Sequence, residues 1–166
     1  MVKIKYLLVG VLMVIIGIVL AATVFPSEEK RVKKRFHLLS EWISKSPEES
    51  ALAMLQKMKD IGTLFFEPCE LKVPDQSLSG SYTRQEISTY AGSARSHSSQ
   101  LDLKFYDLHI EFPEKEVAKV TLTGRLIGKS TTGEQVDEIR ELECLLKKID
   151  RKWFFNQVEV IEVLKK

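Results

Sequence analysis

Residues 116–148, EVAKVTLTGRLIGKSTTGEQVDEIRELECLLKK, decide the architecture. Val120, Leu122 and Leu126 alternate with Lys119, Thr121 and Arg125; Leu142, Cys144 and Leu146 alternate with Glu141, Glu143 and Lys147. A period of two puts successive side chains on opposite faces, so both segments predict strands with one buried and one wet face. The connection from Gly128 to Gly133 is short, which makes the two strands antiparallel neighbours. Outward from this pair, strands are predicted at about 101–112 and 152–164, flanking 116–127 and 134–148, with breaks at Pro113-Glu114-Lys115 and Asp150-Arg151.

Upstream the period changes. Pro26-Ser27 opens a first helix with Glu28 and Glu29 at its N-terminus, and Val32, Phe36, Leu39 and Ile43 recur on one face. Ser46-Pro47-Glu48-Glu49 predicts the start of a second helix, with Ala51, Met54, Leu55, Met58 and Ile61 as its buried stripe and Gly62 as its stop. Thr83-Arg84-Gln85-Glu86 is a capping box for a third helix whose stripe is Ile87, Tyr90, Ala91 and Ala94. A strand is expected at Phe65 to Val73 between helices two and three. Helices first and a curved antiparallel sheet after them make an α+β domain over residues 26–166, in which the helices cover the sheet's apolar face.

Residues 6–25, YLLVGVLMVIIGIVLAATVF, are uncharged and almost wholly apolar. Twenty helical residues rise about 30 Å, the thickness of a bilayer's hydrocarbon core. The run is too long for a secretory h-region and lacks a good Ala-x-Ala site, so residues 1–25 are expected to be a transmembrane anchor or uncleaved signal-anchor. The expected location is the inner membrane, single-pass, with the domain outside the cytoplasm. The cations from Lys30 to Arg35 oppose that orientation by simple count, but they fall on a folded domain's first helix, and large domains translocate despite such charge.

The chain has 25 Lys and Arg against 23 Asp and Glu; Lys3 and Lys5 are the only charges before residue 26, so the domain itself is neutral. A neutral domain argues against nucleic acid as a partner. The expected partners are membrane lipid, through residues 6–25, and a second copy or an envelope protein, through the sheet. His37, His97 and His109 fall on different elements, and no ligand-spaced His or Cys pair or phosphate loop occurs, so neither metal nor cofactor is expected.

The element order resembles the cone-shaped fold of the nuclear transport factor 2 and ketosteroid isomerase superfamily, including its SnoaL-like members. The residues that carry the likeness are 64–71, LFFEPCEL; 78–87, LSGSYTRQEI; and 142–153, LECLLKKIDRKW. The first two are similar to the family's acidic first strand, glycine turn and third-helix start, and the last to its closing hairpin with a tryptophan. Arg151 departs from the glycine common after the hairpin aspartate.

The resemblance implies that an enzyme of this kind would carry its proton-abstracting carboxylate on the first strand, where Glu67 and Glu70 lie. Parity with Cys69 and Leu71 turns Glu70 outward and Glu67 inward, with Pro68 interrupting the strand. Asp107 and His109 share one strand face, opposite Tyr106, Leu108, Ile110 and Phe112, and so belong on the wet side unless a bulge turns them. Glu138 and Arg140 share parity with Leu142, and with Arg125 they either rim a pocket or form a cross-strand ion pair, the latter being favoured. Tyr90 is the nearest hydrogen-bond donor for a ligand, although its spacing fits core packing. The family's sheet order separates the strands of Cys69 and Cys144, so two buried thiols are expected. The leading expectation is a non-catalytic binding or assembly module. The competing one is a ketosteroid isomerase-like isomerase or dehydratase acting on a small hydrophobic substrate.

Overall fold

A computed structural model describes residues 13–15, 27–74 and 78–163. The chain forms two compact units, Met1–Arg31 and Val32–Lys166. In the first, residues 13–15 are helical and Ser27 accepts a hydrogen bond from the Lys30 amide at 3.3 Å, as expected of a helix start. Apart from residues 13–15, the expected membrane span of 6–25 lies outside the described residues. Among the described residues no helix is long and apolar enough to cross a membrane.

Three helices, α1 (Glu28–Ile43), α2 (Ala51–Gly62) and α3 (Arg84–Ser96), combine with a six-stranded sheet. The strands are β1 (Phe65–Lys72), β2 (Gly80–Tyr82), β3 (Ser98–Glu114), β4 (Val117–Ser130), β5 (Gln135–Ile149) and β6 (Lys152–Val163), in the order β2-β1-β6-β5-β4-β3. The α+β class and the β3-to-β6 meander follow the sequence expectation. Two features correct it. The sheet is not wholly antiparallel, because β1 runs parallel to β6, and β2 is an additional short strand paired with β1.

The helices show where local signals mislead. The second helix is capped by Ser50, whose side chain accepts from the Ala53 amide, and not by Ser46. Residues 46–49 form a turn instead, because Glu49 is drawn inward to Arg95 and Lys57. Of the expected stripe on α2 only Ile61 is fully buried, and Leu55 is exposed. Gly62 is the last residue of α2, as expected, and is also a point of close approach, since a Cβ there would sit 2.4 Å from the Ser88 hydroxyl of α3 and 2.9 Å from the Arg84 carbonyl oxygen. The Thr83–Glu86 capping box on α3 is present in full. Its buried face, however, runs through Ile87, Gly92 and Arg95, leaving Tyr90 and Ala94 exposed.

The core lies between the helices and the sheet's inner face. Phe36 meets Phe155 edge-on at 5.0 Å and Phe105 at 5.5 Å, and Phe65 packs on Phe155 at 5.3 Å. Trp153 is 1% exposed and lies 5.8 Å from the Phe112 ring, as expected of the residue that closes the hairpin. The β5–β6 turn puts both Asp150 (φ 48°) and Arg151 (φ 64°) in the left-handed region, the backbone of a two-residue type I′ hairpin. Arg151 therefore occupies the conformation that glycine ordinarily supplies.

Candidate ligand cavity

Between α3, β1, the end of α1 and the end of α2 lies a cavity of about 330 Å³. Its wall is built from Ile43, Ile61, Phe65, Leu71, Val73, Leu78, Tyr82, Ile87, Tyr90 and Ala91. Each element contributes for a local reason. The capping box fixes where α3 begins, so Ile87 and Ala91, four residues apart, fall on one face. The short β2 brings Tyr82 beside β1, opposite Cys69. Its ring meets Tyr90 edge-on at 5.6 Å, and its hydroxyl donates to the Leu78 carbonyl at 3.0 Å. Thus two phenols and eight apolar side chains line a space of ligand size.

Of the candidate residues read from the sequence, the structure brings Tyr90 alone to this wall. It is not a core residue, being 56% exposed. Glu67 and Glu70 are both exposed on β1. Phe65 and Cys69, four apart, keep the inward parity, but Glu67 between them does not, because the β1–β6 register shifts between Phe65 and Glu70. Asp107 and His109 are exposed on β3. A bulge between Tyr106 and His109, with Asp107 at φ 55°, resets the strand's alternation: Phe105 turns to the core, and Tyr106, expected inside, is 44% exposed. The bulge thus exists, but it leaves Asp107 and His109 in water, where the imidazole Nε2 lies 3.4 Å from the Glu111 carboxylate.

Arg125, Glu138 and Arg140 form ion pairs outside the cavity wall. Arg125 makes a two-pronged contact with Asp137, at 3.0 Å for each hydrogen bond, rather than with Glu138. Arg140 pairs with Glu138 on its own strand at 2.8 Å. Cys69 and Cys144 are buried free thiols on strands separated by β6. Burial, with a smaller effect of the neighbouring Glu70, pushes the Cys69 thiol up to about 12, and burial raises Cys144 as well. Neither is a nucleophile at neutral pH.

The polar centre that the sequence did not disclose is Arg95. It is fully buried on α3, and its Nη1 donates to the carbonyls of Trp42, Ile43 and Ser44 at 2.6, 2.7 and 2.7 Å. These are the carbonyls that a helix end leaves without partners, so Arg95 caps α1 from another element. Its Nη2 pairs with Glu49, which also binds Lys57 at 2.8 Å. Desolvation would raise the Glu49 carboxyl, but the hydrogen bonds and charges of Lys57 and Arg95 outweigh it and hold the group below its ordinary value. The available signal was a cation eight residues after Ile87, in line with the buried face of α3. Among the described residues no cluster of His, Cys, Asp or Glu fits a metal.

No family profile and no curated protein matches this sequence. Solved structures do match in shape. A scytalone dehydratase-like protein of Novosphingobium aromaticivorans superposes with a TM-score of 0.64 at 17% identity, covering 83% of this chain and 85% of the other. The fold is that of the nuclear transport factor 2-like cone. A candidate aromatic ring hydroxylase from the same organism gives 0.69 at 10% identity over 86% and 93% of the two chains. A hexachlorocyclohexane dehydrochlorinase, LinA type 2, gives 0.64 at 8% identity over 83% and 88%. At these identities the likeness is one of fold.

Proposed function

We propose that the domain holds a small, largely apolar molecule in the cavity of about 330 Å³, at a membrane to which residues 6–25 tether it, on the extracytoplasmic side. The observation that carries this reading is the wall itself, which turns only apolar surface to the cavity, the rings of Tyr82 and Tyr90 included. Photolabelling of the full chain with trifluoromethylphenyl diazirine tests it. Label is expected on peptides spanning Leu71 to Ala91 and should be lost from them in Ala91→Phe, which fills the space. Label confined to residues 6–25 would defeat the proposal.

Catalysis on such a molecule is the second reading, as an isomerase or dehydratase. Relatives in fold that are named as a dehydratase and a dehydrochlorinase support it, whereas the non-catalytic role expected from the sequence gains no support from them. In this reading Tyr90 donates a hydrogen bond to a substrate oxygen on which charge develops, since the Tyr82 hydroxyl already donates to the Leu78 carbonyl. Loss of turnover in Tyr90→Phe, with ligand binding retained, is the result it requires. The outer face of the sheet, with Tyr106 and Ile127 exposed, is proposed to meet a second copy of the chain. Sedimentation of the full chain and of Tyr106→Glu tests that pairing, and an identical monomer in both would dismiss it.

A further inference from the structure

Two aromatic rings at one end of the sheet gather three cations. Arg35 on α1 and Arg84 on α3 each place a guanidinium carbon over the Phe154 ring, at 5.5 and 5.6 Å from its centroid. Lys147 is the register partner of Phe154, and its ammonium lies 5.6 Å from the Phe66 ring on β1. The rings are half-buried, and Arg84 and Lys147 are exposed. Lys152, two residues before Phe154 on β6, adds a further positive charge on the same sheet face. Among the described residues no carboxylate forms an ion pair with Arg35, Arg84 or Lys147, although such pairs are frequent elsewhere on this sheet. Burial alone lowers the pKa of the Arg35 guanidinium, with no acidic group acting on it in return.

Cations held in place by ring faces, and without an ion-paired acid in a domain of zero net charge, suit a surface that supplies the anions. The sequence names the surface. Arg35 lies ten residues after the apolar run ends at Phe25, a reach of at most about 36 Å of extended chain. We infer that Arg35, Arg84 and Lys147, set on Phe66 and Phe154, form a docking face for the phosphate headgroups of an anionic bilayer, which orients the domain on its membrane. The inference rests on the membrane reading above, and its test keeps the two apart.

The full chain is mixed with neutral phosphatidylcholine vesicles and with vesicles carrying about one third phosphatidylglycerol, then pulsed with an amine-acylating reagent. Lys147 is the reporter and the exposed Lys129, at the far end of β4, is the internal control. Each cation at such a surface is worth about a fivefold change in association. Lys147 acylation should therefore slow at least fivefold on the anionic vesicles relative to the neutral ones, with Lys129 unchanged, and recover at high salt. Arg35→Gln with Arg84→Gln should abolish the protection, and the charge-conserving Arg35→Lys with Arg84→Lys should keep it. The latter pair separates lost charge from lost folding, because Arg84 also donates to the Phe65 carbonyl at 2.8 Å. Equal acylation of Lys147 on the two vesicle types overturns the inference, as does equal protection by inorganic phosphate without vesicles. Carbonate resistance on neutral vesicles reports residues 6–25 separately. A chain that carbonate strips, yet whose Lys147 is protected on anionic vesicles, sinks the tether and leaves the docking face standing.

Discussion

Replacing Arg95 with methionine keeps most of the side chain's volume and removes its charge and four hydrogen bonds. Three carbonyls at the end of α1 then lose their donor, and Glu49, whose side chain is 5% exposed, keeps only Lys57. Breaking one side of a buried ion pair costs about 3 to 5 kcal/mol, and each orphaned buried acceptor about 1 to 3. These terms overlap, because the α1 terminus can relax toward water and Lys57 retains part of the carboxylate's stabilisation. We therefore expect a loss of about 3 to 5 kcal/mol, much of a typical domain's stability. Urea unfolding followed by tryptophan fluorescence measures it. Glu49→Gln and the double variant complete a cycle whose coupling should exceed about 1 kcal/mol. A loss under about 1 kcal/mol for Arg95→Met would refute the reasoning, since water would then be serving the α1 terminus as well as the guanidinium does. The pH dependence has a definite sign. The Glu49 carboxyl is lowered from 4.5 in the folded state, so its contribution is present above that value and is lost as pH falls through the folded pKa. Arg95→Met, which removes one cause of the lowering, should flatten that acid limb.

Trp153→Ala should cost about 3 to 5 kcal/mol because the side chain is 1% exposed, and a shift in the unfolding midpoint worth less than about 1 kcal/mol would contradict its burial. Arg151→Gly should stabilise the chain by about 1 kcal/mol through relief of the left-handed backbone at φ 64°, and an unchanged or lower midpoint would argue against strain there. Glu67→Gln should leave physiological activity unchanged, since Glu67 is exposed and lies off the cavity wall; loss of function in a variant that remains folded would make it a catalytic base after all.

The meander was legible because a period of two survives in any strand with one wet face, as in the run from Ala118 to Leu122. Where the sequence misled, one residue changed the meaning of its neighbours. Asp107 adds a residue to β3 and so exchanges the roles of Phe105 and Tyr106. Ser46 and Ser50 are both competent caps, and the choice between them depends on Arg95, nearly fifty residues away. The cavity was hidden for the same reason, since its wall draws on Ile43, Ile61, β1, β2 and α3, and no local pattern announces that Tyr82 and Tyr90 meet. The parallel pairing of β1 with β6 likewise joins distant segments, Phe65 with Phe155, beyond the reach of any sequence period.

That pairing sets a timetable for biosynthesis. The last strand made is an interior strand, flanked by β1 and β5, so a growing chain cannot assemble its sheet in the order in which it emerges. Phe65 and Leu71, released early, have no sheet partner on that side until Phe155 and Val158 follow about ninety residues later. At about 5 to 20 residues per second this interval lasts several seconds, during which β1 and its apolar side chains stand open to wrong partners. The domain can close only after its final strand has arrived.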